Sequence, residues 1–397
     1  MVVVAVKRDH TQIVHGSILP VVSLKISGID TMFTTKNNVK KLLFLSIIMS
    51  IGCSLSREQP IDFTEWEVDD VSLLVGAETE SEIATPATII TESNGFLIYD
   101  VGTQRFIKFD TEGNKTFSFG REGRGPGEYQ QILAWSAFWK FDDVYLLFDR
   151  LGAKFITYDE QGKWLEDIPL DNEEFSWFTP RQIIAITPSR FIIPTKGENN
   201  SLLKFVDLNK NRVSYFGNPV GGYVMDMTSE ERHRAIRSGN IPGDIVNEVI
   251  PAVNESGIFS FQQTTAKLEK YSLTGEPVWS QSLKIPAQQG LFDYVFDLNA
   301  EQMRQDSQLL PYFNYARSAY ANEEGIAILL NNLHESPAVT KVIWVSNDGQ
   351  DIVVLRFPGL DSSSPHQPGS IAISSDQSHI YFVKMLSGEI YRATWPL

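Results

Sequence analysis

Runs of Ile, Val, Phe, Tyr and Thr recur along the chain, broken by Gly, Asn and Asp at short intervals. Alternating apolar and polar positions bounded by turn residues predict strands joined by tight turns. In "FLIYDVGTQRFIKFDTEGNKTFSFG" (96–120) the pattern reads strand, turn, strand ending in Phe-Asp, glycine turn, strand. "VYLLFDRLGAKFITYDEQGKWLEDIPL" (144–170) reads the same way. Weaker copies begin at Arg190, Gly257, Gly325 and His379.

The turn positions Gly113, Gly162, Asn211, Gly275, Gly349 and Gly388 mark six copies, mostly about 40 to 75 residues apart. Six units of three or four antiparallel strands predict an all-β chain, a six-bladed β-propeller. Such a ring closes by building one blade from both chain ends. The final repeat supplies strands near 370–374, 379–384 and 389–395, and "WEVDDVSLLV" from Trp66 offers a strand to complete them. Two spacers depart from the strand period. "MTSEERHRAIRSG" (227–239) has Thr228 and Ser229 as candidate caps and Glu230 and Glu231 in its first turn, which predicts a helix. A second helix is expected within 298–320, broken at Pro311.

Near the N-terminus, Lys40 and Lys41 precede an apolar run, Leu42–Gly52, that ends at the sole cysteine, Cys53. The run is too short to span a bilayer, which takes about 20 residues, and fits an export signal. "MSIGCS" resembles the lipobox of bacterial lipoproteins, with Ser50 where that pattern prefers Leu. The resemblance implies lipidation of Cys53, and Met32 then makes a start of ordinary leader length. The expected division is residues 1–52 as extension and signal, 53–65 as tether and 66–397 as propeller. Removing 1–52 takes six basic and two acidic residues from 34 and 49, leaving 28 against 47 and a net charge of −19. So acidic a surface repels phosphate backbones and argues against nucleic acid as a partner. One cysteine excludes an intrachain disulfide, so packing and strand pairing hold the fold.

"GREGRGPGEYQQI" (120–132) concentrates glycine and charge between two strands. It is not a phosphate-binding loop, because Pro126 stands where the lysine belongs, and Glu128 replaces the third glycine of a dinucleotide motif. "GREGRGPGEY" after "FSFG" instead resembles a segment of the six-bladed β-propeller lipoproteins of Bacteroidetes, related in shape to NHL-repeat propellers. The resemblance covers roughly 67–395 and implies fold and source rather than activity. Gly123, Gly125 and Gly127 supply positive φ, Pro126 stiffens the loop, and Glu128 and Tyr129 anchor it, which describes a rigid connector. Arg121, Arg124, Glu128 and Tyr129 are also candidate contacts for an anionic or glycan ligand, with Trp135 and Trp139 as sugar-stacking faces.

Catalytic motifs are sparse. There is no G-x-S-x-G turn, "HESPA" at His334 lacks the second histidine of a zinc protease, and "DLNKN" (207–211) copies only the start of a calcium loop. The expected function is a lipid-anchored binding or interaction module of the cell envelope, in the outer membrane, whose partner is an envelope protein or a glycan or peptide. The competing expectation is a metal-dependent propeller enzyme of lactonase or lyase type, with Ca²⁺ held by ligands from several blades.

Overall fold

Each repeat becomes one antiparallel sheet because its central strand is apolar on both sides and must be covered twice. The structure, a computed structural model, describes residues 11–14, 17–20, 63–76, 83–132, 138–170, 182–221, 224, 227–304, 314–332, 334–335, 338–361 and 367–397. Cys53, the Leu42–Gly52 run and Trp135 lie outside them. Residues up to 60 form one unit, whose described strands, Thr11–Val14 and Ser17–Pro20, pair as an antiparallel hairpin. The rest forms a second unit of six sheets.

Within each blade, strands a to d follow chain order. Blade 1 is Pro86–Glu92, Gly95–Asp100, Arg105–Phe109 and Lys115–Phe119. Blade 2 is Phe138–Phe141, Val144–Asp149, Lys154–Asp159 and Trp164–Pro169. Blade 3 is Ile184–Thr187, Arg190–Pro194, Leu203–Asp207 and Arg212–Phe216. Blade 4 is Val249–Asn254, Gly257–Gln262, Lys267–Tyr271 and Pro277–Ser282. Blade 5 is Ala316–Ala321, Gly325–Leu330, Val339–Ser346 and Ile352–Asp361. Blade 6 is Ser370–Ile373, His379–Lys384 and Glu389–Thr394, completed by Ser72–Val75.

The period of two sorts the core. In strand b of blade 5, Ile326, Ile328 and Leu330 pack toward blade 4, while Ala327 and Leu329 pack toward blade 6. In blade 1, Leu97 and Tyr99 face blade 2, and Phe96 and Ile98 face blade 6. Every blade therefore shares a core with each neighbour. Outer strands such as Trp164–Pro169 are largely exposed.

Closure is composite, as the sequence predicts: Ser72–Val75 pairs antiparallel with Glu389–Thr394. The preceding stretch adds a feature the sequence reading lacks. Thr64–Glu67 leaves the closing blade and pairs parallel with Ile352–Asp361 as a fifth strand of blade 5, exposed along its length. Arg356 there reaches Glu65 at 3.2 Å and Glu67 at 3.5 Å.

The antiparallel order sends connectors between blades and b–c turns to one face, and a–b and c–d turns to the other. Five of the six turn markers, Gly113, Gly162, Asn211, Gly275 and Gly349, sit in c–d turns with positive φ. Gly388 is different. It lies in the b–c turn of blade 6, equivalent to Gln104, Ala153 and Ala266, which also have positive φ. The sixth repeat is thus out of phase with the others, because its d strand comes from the N-terminal side.

Helix α1, Ser229–Arg237, forms where expected. Thr228 Oγ1 accepts from Glu231 N at 3.3 Å, and the Glu231 carboxylate accepts from Thr228 N at 2.8 Å, a reciprocal cap. Helix α2 spans Pro286–Arg304, not the expected 298–320, and Ala316–Ala321 is the inner strand of blade 5. Pro286 opens the helix at its first turn, where proline is tolerated, and Leu291 and Val295, one turn apart, are buried. Both helices lie in connectors, after blades 3 and 4, and touch each other.

Candidate functional site

The glycine-rich connector joins strand d of blade 1 to strand a of blade 2 and is fixed at several points. Gly120 and Gly127 have φ of 71°. A Cβ on Gly127 would stand 2.8 Å from the Trp164 ring, so only glycine fits. Gly125 is not in the left-handed region; its N–H donates to Glu128 Oε2 at 2.8 Å, while Gly123 N donates to Tyr129 O at 2.9 Å. Tyr129 is buried edge-on against Tyr99 and Phe106, with its hydroxyl donating to Gln104 O. The Gly127 carbonyl accepts from Tyr158 OH, and its N–H donates to Asp167 Oδ1 at 3.1 Å.

The end of the connector is clamped by Asp149, fully buried, whose carboxylate accepts from Gln130 N and Gln131 N at 3.0 Å and from Gly152 N at 3.1 Å. Asp100 does the same one blade earlier, accepting from Ala84 N at 3.1 Å and Thr103 Oγ1 at 2.7 Å. Each aspartate ends a strand b and holds the segment entering its own blade. Backbone N–H groups, joined at Asp100 by the Thr103 hydroxyl, occupy the oxygens of these buried carboxyl groups.

Of the candidate ligand contacts, Glu128 bonds within the loop and pairs with Arg121. The Gly125 N–H, and after it the Arg121 guanidinium, hold its carboxyl below the usual range. Arg121 and Arg124 are exposed, with 71% of the Arg121 side chain accessible. Trp139 is half-buried and packs edge-on against Phe191 of blade 3 at 6.0 Å. The residues brought together at the surface are therefore Arg121 and Arg124; Tyr129 and Trp139 stand in packed surroundings.

A family model described as "6-bladed beta-propeller" matches residues 75–182. The fold is a six-bladed β-propeller. Among solved structures, the chain is similar to a Bacteroides fragilis protein thought to be exported (12% identity, 84% of this chain and 99% of that one, TM-score 0.49). It is similar also to a member of a family of unknown function from Bacteroides vulgatus (10%, 82% and 96%, 0.48) and to a gluconolactonase from Xanthomonas campestris (5%, 82% and 89%, 0.45). No curated protein matches the chain.

On the opposite face, the propeller carries a cluster that sequence reasoning did not single out. Glu92, at the end of strand a of blade 1, accepts from Lys108 Nζ at 2.6 Å, Lys140 Nζ at 2.7 Å and Tyr145 OH at 2.6 Å. Only 4% of the Glu92 side chain and 5% of the Lys108 side chain are exposed. Burial pushes the Glu92 carboxyl up, but the bonds from Lys108, Lys140 and Tyr145 outweigh it and leave it below its ordinary value. Burial pulls Lys108 down, against the attraction of Glu92. Tyr145 is pushed up, first by burial and then by its bond to Glu92, so it stays a donor. The cluster floors a cleft of about 370 Å³ lined also by Ser93, Asn94, Thr116, Phe117 and Asp143 and by Glu160 and Gln161 of the blade 2 c–d turn. Among the described residues, no three His, Cys, Asp or Glu side chains are grouped to hold a metal ion.

Proposed function

We propose that this propeller is an exported, lipid-anchored binding module of the cell envelope, docking an envelope protein on its connector face. The observation that carries the reading is the make-up of that face across three consecutive blades. The b–c turns of blades 6, 1 and 2 present exposed Leu386, Val101 and Leu151, with Leu386 68% accessible. Beside them stand Arg105, Arg121 and Arg124, all exposed on a chain of net charge −15. Neither Arg105 nor Arg124 makes an ion pair among the described residues. α1 and α2 occupy connectors after blades 3 and 4, on the other side of the ring. Apolar tips interleaved with guanidinium groups suit a segment that carries both acidic and apolar side chains.

The overdetermined glycine connector supports this use, since a surface held by Asp149, Tyr129 and Tyr158 loses little freedom when it binds. The lipid anchor rests on the Lys40–Cys53 pattern. Its test is export in a bacterial host: the wild-type chain should partition into detergent and carry lipid mass at Cys53, and Cys53→Ser should do neither. The docking face is tested with a labelled peptide alternating Glu and Leu. Arg105→Glu/Arg121→Glu/Arg124→Glu should weaken binding by at least roughly tenfold, and added salt should weaken the wild type. Equal affinity of both proteins would end the reading.

A further inference from the structure

The propeller repeats one arrangement at two interfaces, and comparing them shows why one is open. Strand registers make the positions equivalent: Lys108 lies between Leu97 and Phe117, and Lys270 between Phe259 and Trp279. Glu92 opposes Gly95 as Asn254 opposes Gly257. Val144 opposes Asp159 as Gly325 opposes Ser346, which sets Glu160 level with Asn347.

Between blades 4 and 5 the position is plugged by Asn347 of the c–d turn. Lys270 Nζ donates to its carbonyl at 2.8 Å and to Ser256 Oγ at 2.8 Å; Trp279 Nε1 donates to the same carbonyl at 2.9 Å; Asn254 Nδ2 donates to Asn347 Oδ1 at 3.0 Å. Between blades 1 and 2 the lysine is satisfied from within its own blade, by Glu92 and by Asn94 Oδ1 at 3.1 Å. Phe117, in place of Trp279, has no N–H to offer. Nothing then draws the blade 2 turn inward, Glu160 stays exposed with its carboxylate accepting from Gln161, and the cleft remains.

We propose that this cleft is a second binding site, for an uncharged saccharide. The inference rests on the reading of the propeller as a binding module, but not on its connector face. The buried Glu92–Lys108 pair is matched within the floor, and the second ammonium, on part-exposed Lys140, is offset by the rim carboxylates of Asp143 and Glu160, so the cleft offers an anionic ligand no net attraction. Its rim offers the hydroxyls of Ser93 and Thr116 and the amides of Asn94 and Gln161, with the Asp143 and Glu160 carboxylates as acceptors. Half-buried Phe117 supplies an apolar wall on which a sugar ring stacks. A volume of about 370 Å³ is at the small end of the range for ligand sites and suits one or two sugar rings.

The test is calorimetric titration of the full chain with cellobiose, maltose, mannobiose and N,N′-diacetylchitobiose, with digalacturonate and an Ala-Asn-Ala peptide as contrasts. At least one neutral disaccharide should bind at or below about 10 mM. Phe117→Ala and Asn94→Ala/Gln161→Ala should each weaken it roughly tenfold while the native circular dichroism spectrum is kept at the titration temperature, and Arg121→Glu/Arg124→Glu should leave binding unaffected. The proposal is overturned if no neutral disaccharide binds, if binding survives both cleft variants, or if only the charged sugar or the peptide binds there. Failure of the wild-type chain to bind the Glu-Leu peptide at the connector face, with saccharide binding intact, would count against the proposed function alone.

Discussion

The interfaces between blades 1 and 2 and between blades 4 and 5 start from the same strand register and the same buried lysine, yet one is open and the other sealed. The difference is one of charge and of who supplies the acceptor. Lys108 has a carboxylate inside its own blade, whereas Lys270, 5% exposed, depends on neutral groups, chiefly a carbonyl of the neighbouring blade, and lies over the Phe259 ring at 5.1 Å. The internal ion pair leaves the blade 2 c–d turn free, while Glu92 holds the neighbouring blade through Lys140 and Tyr145 instead. A borrowed carbonyl ties two blades together.

The sharpest way to break this comparison is Glu92→Gln. It leaves two lysines facing a neutral amide and should cost roughly 3–5 kcal/mol in urea unfolding, because a buried charge loses its partner. Lys270→Met removes a charge whose hydrogen-bond partners are neutral and whose carboxylate neighbour, Asp348, acts only at longer range, and it should cost about 1 kcal/mol or less. Equal losses would mean that the two lysines do the same job. The pH dependence separates them further. Glu92 has a folded value below its ordinary 4.5, so its stabilisation is complete above that value and is lost as pH falls through the folded one. Glu92→Gln should flatten the acid limb of the stability curve, and Lys270→Met should change it far less, since Lys270 is the least of the groups that hold Asp348 below its ordinary value.

A smaller effect, roughly 2–3 kcal/mol, is expected for Asp149→Ala, which strips three backbone N–H groups of their acceptor. Hydrogen exchange should rise at Gln130, Gln131 and Gly152 first. Smaller still in stability, within about 1 kcal/mol, is Glu160→Asn/Phe117→Trp, which rebuilds the plug of blades 4 and 5 on blades 1 and 2. Its readout is slower exchange at 159–162 together with loss of saccharide binding; unchanged exchange would show that sequence at these two positions does not decide between open and sealed.

The ring was legible because its signal is local and repeated: each glycine turn between two apolar runs announces a hairpin wherever it occurs. Composite closure followed from a repeat short of one strand. The cleft was not legible, since Lys140 and Tyr145 stand 48 and 53 positions from Glu92 and only the curvature of the ring unites them. A weak trace existed in "FIKFD" and "LEKYS", where a lysine interrupts strands whose neighbours are all buried. The second helix was misplaced because "GLFDYVFDL" carries strand-like apolar residues, and only its packing, with Asn299 Nδ2 bonded to Val295 O, shows the helical face. The connector was easier to read, as proline and glycine restrict backbone shape before any tertiary contact forms.

The parallel strand Thr64–Glu67 gives the molecule a mechanical order of failure. Any tension carried by the chain ahead of Thr64 arrives first at four exposed residues held by their parallel ladder with Ile352–Asp361 and by the Arg356 ion pairs, and only afterwards at Ser72–Val75, whose Val75 is fully buried. An exposed four-residue strand is thus the outermost attachment of the chain to the ring, and the buried seam that keeps the six blades a closed circle lies behind it.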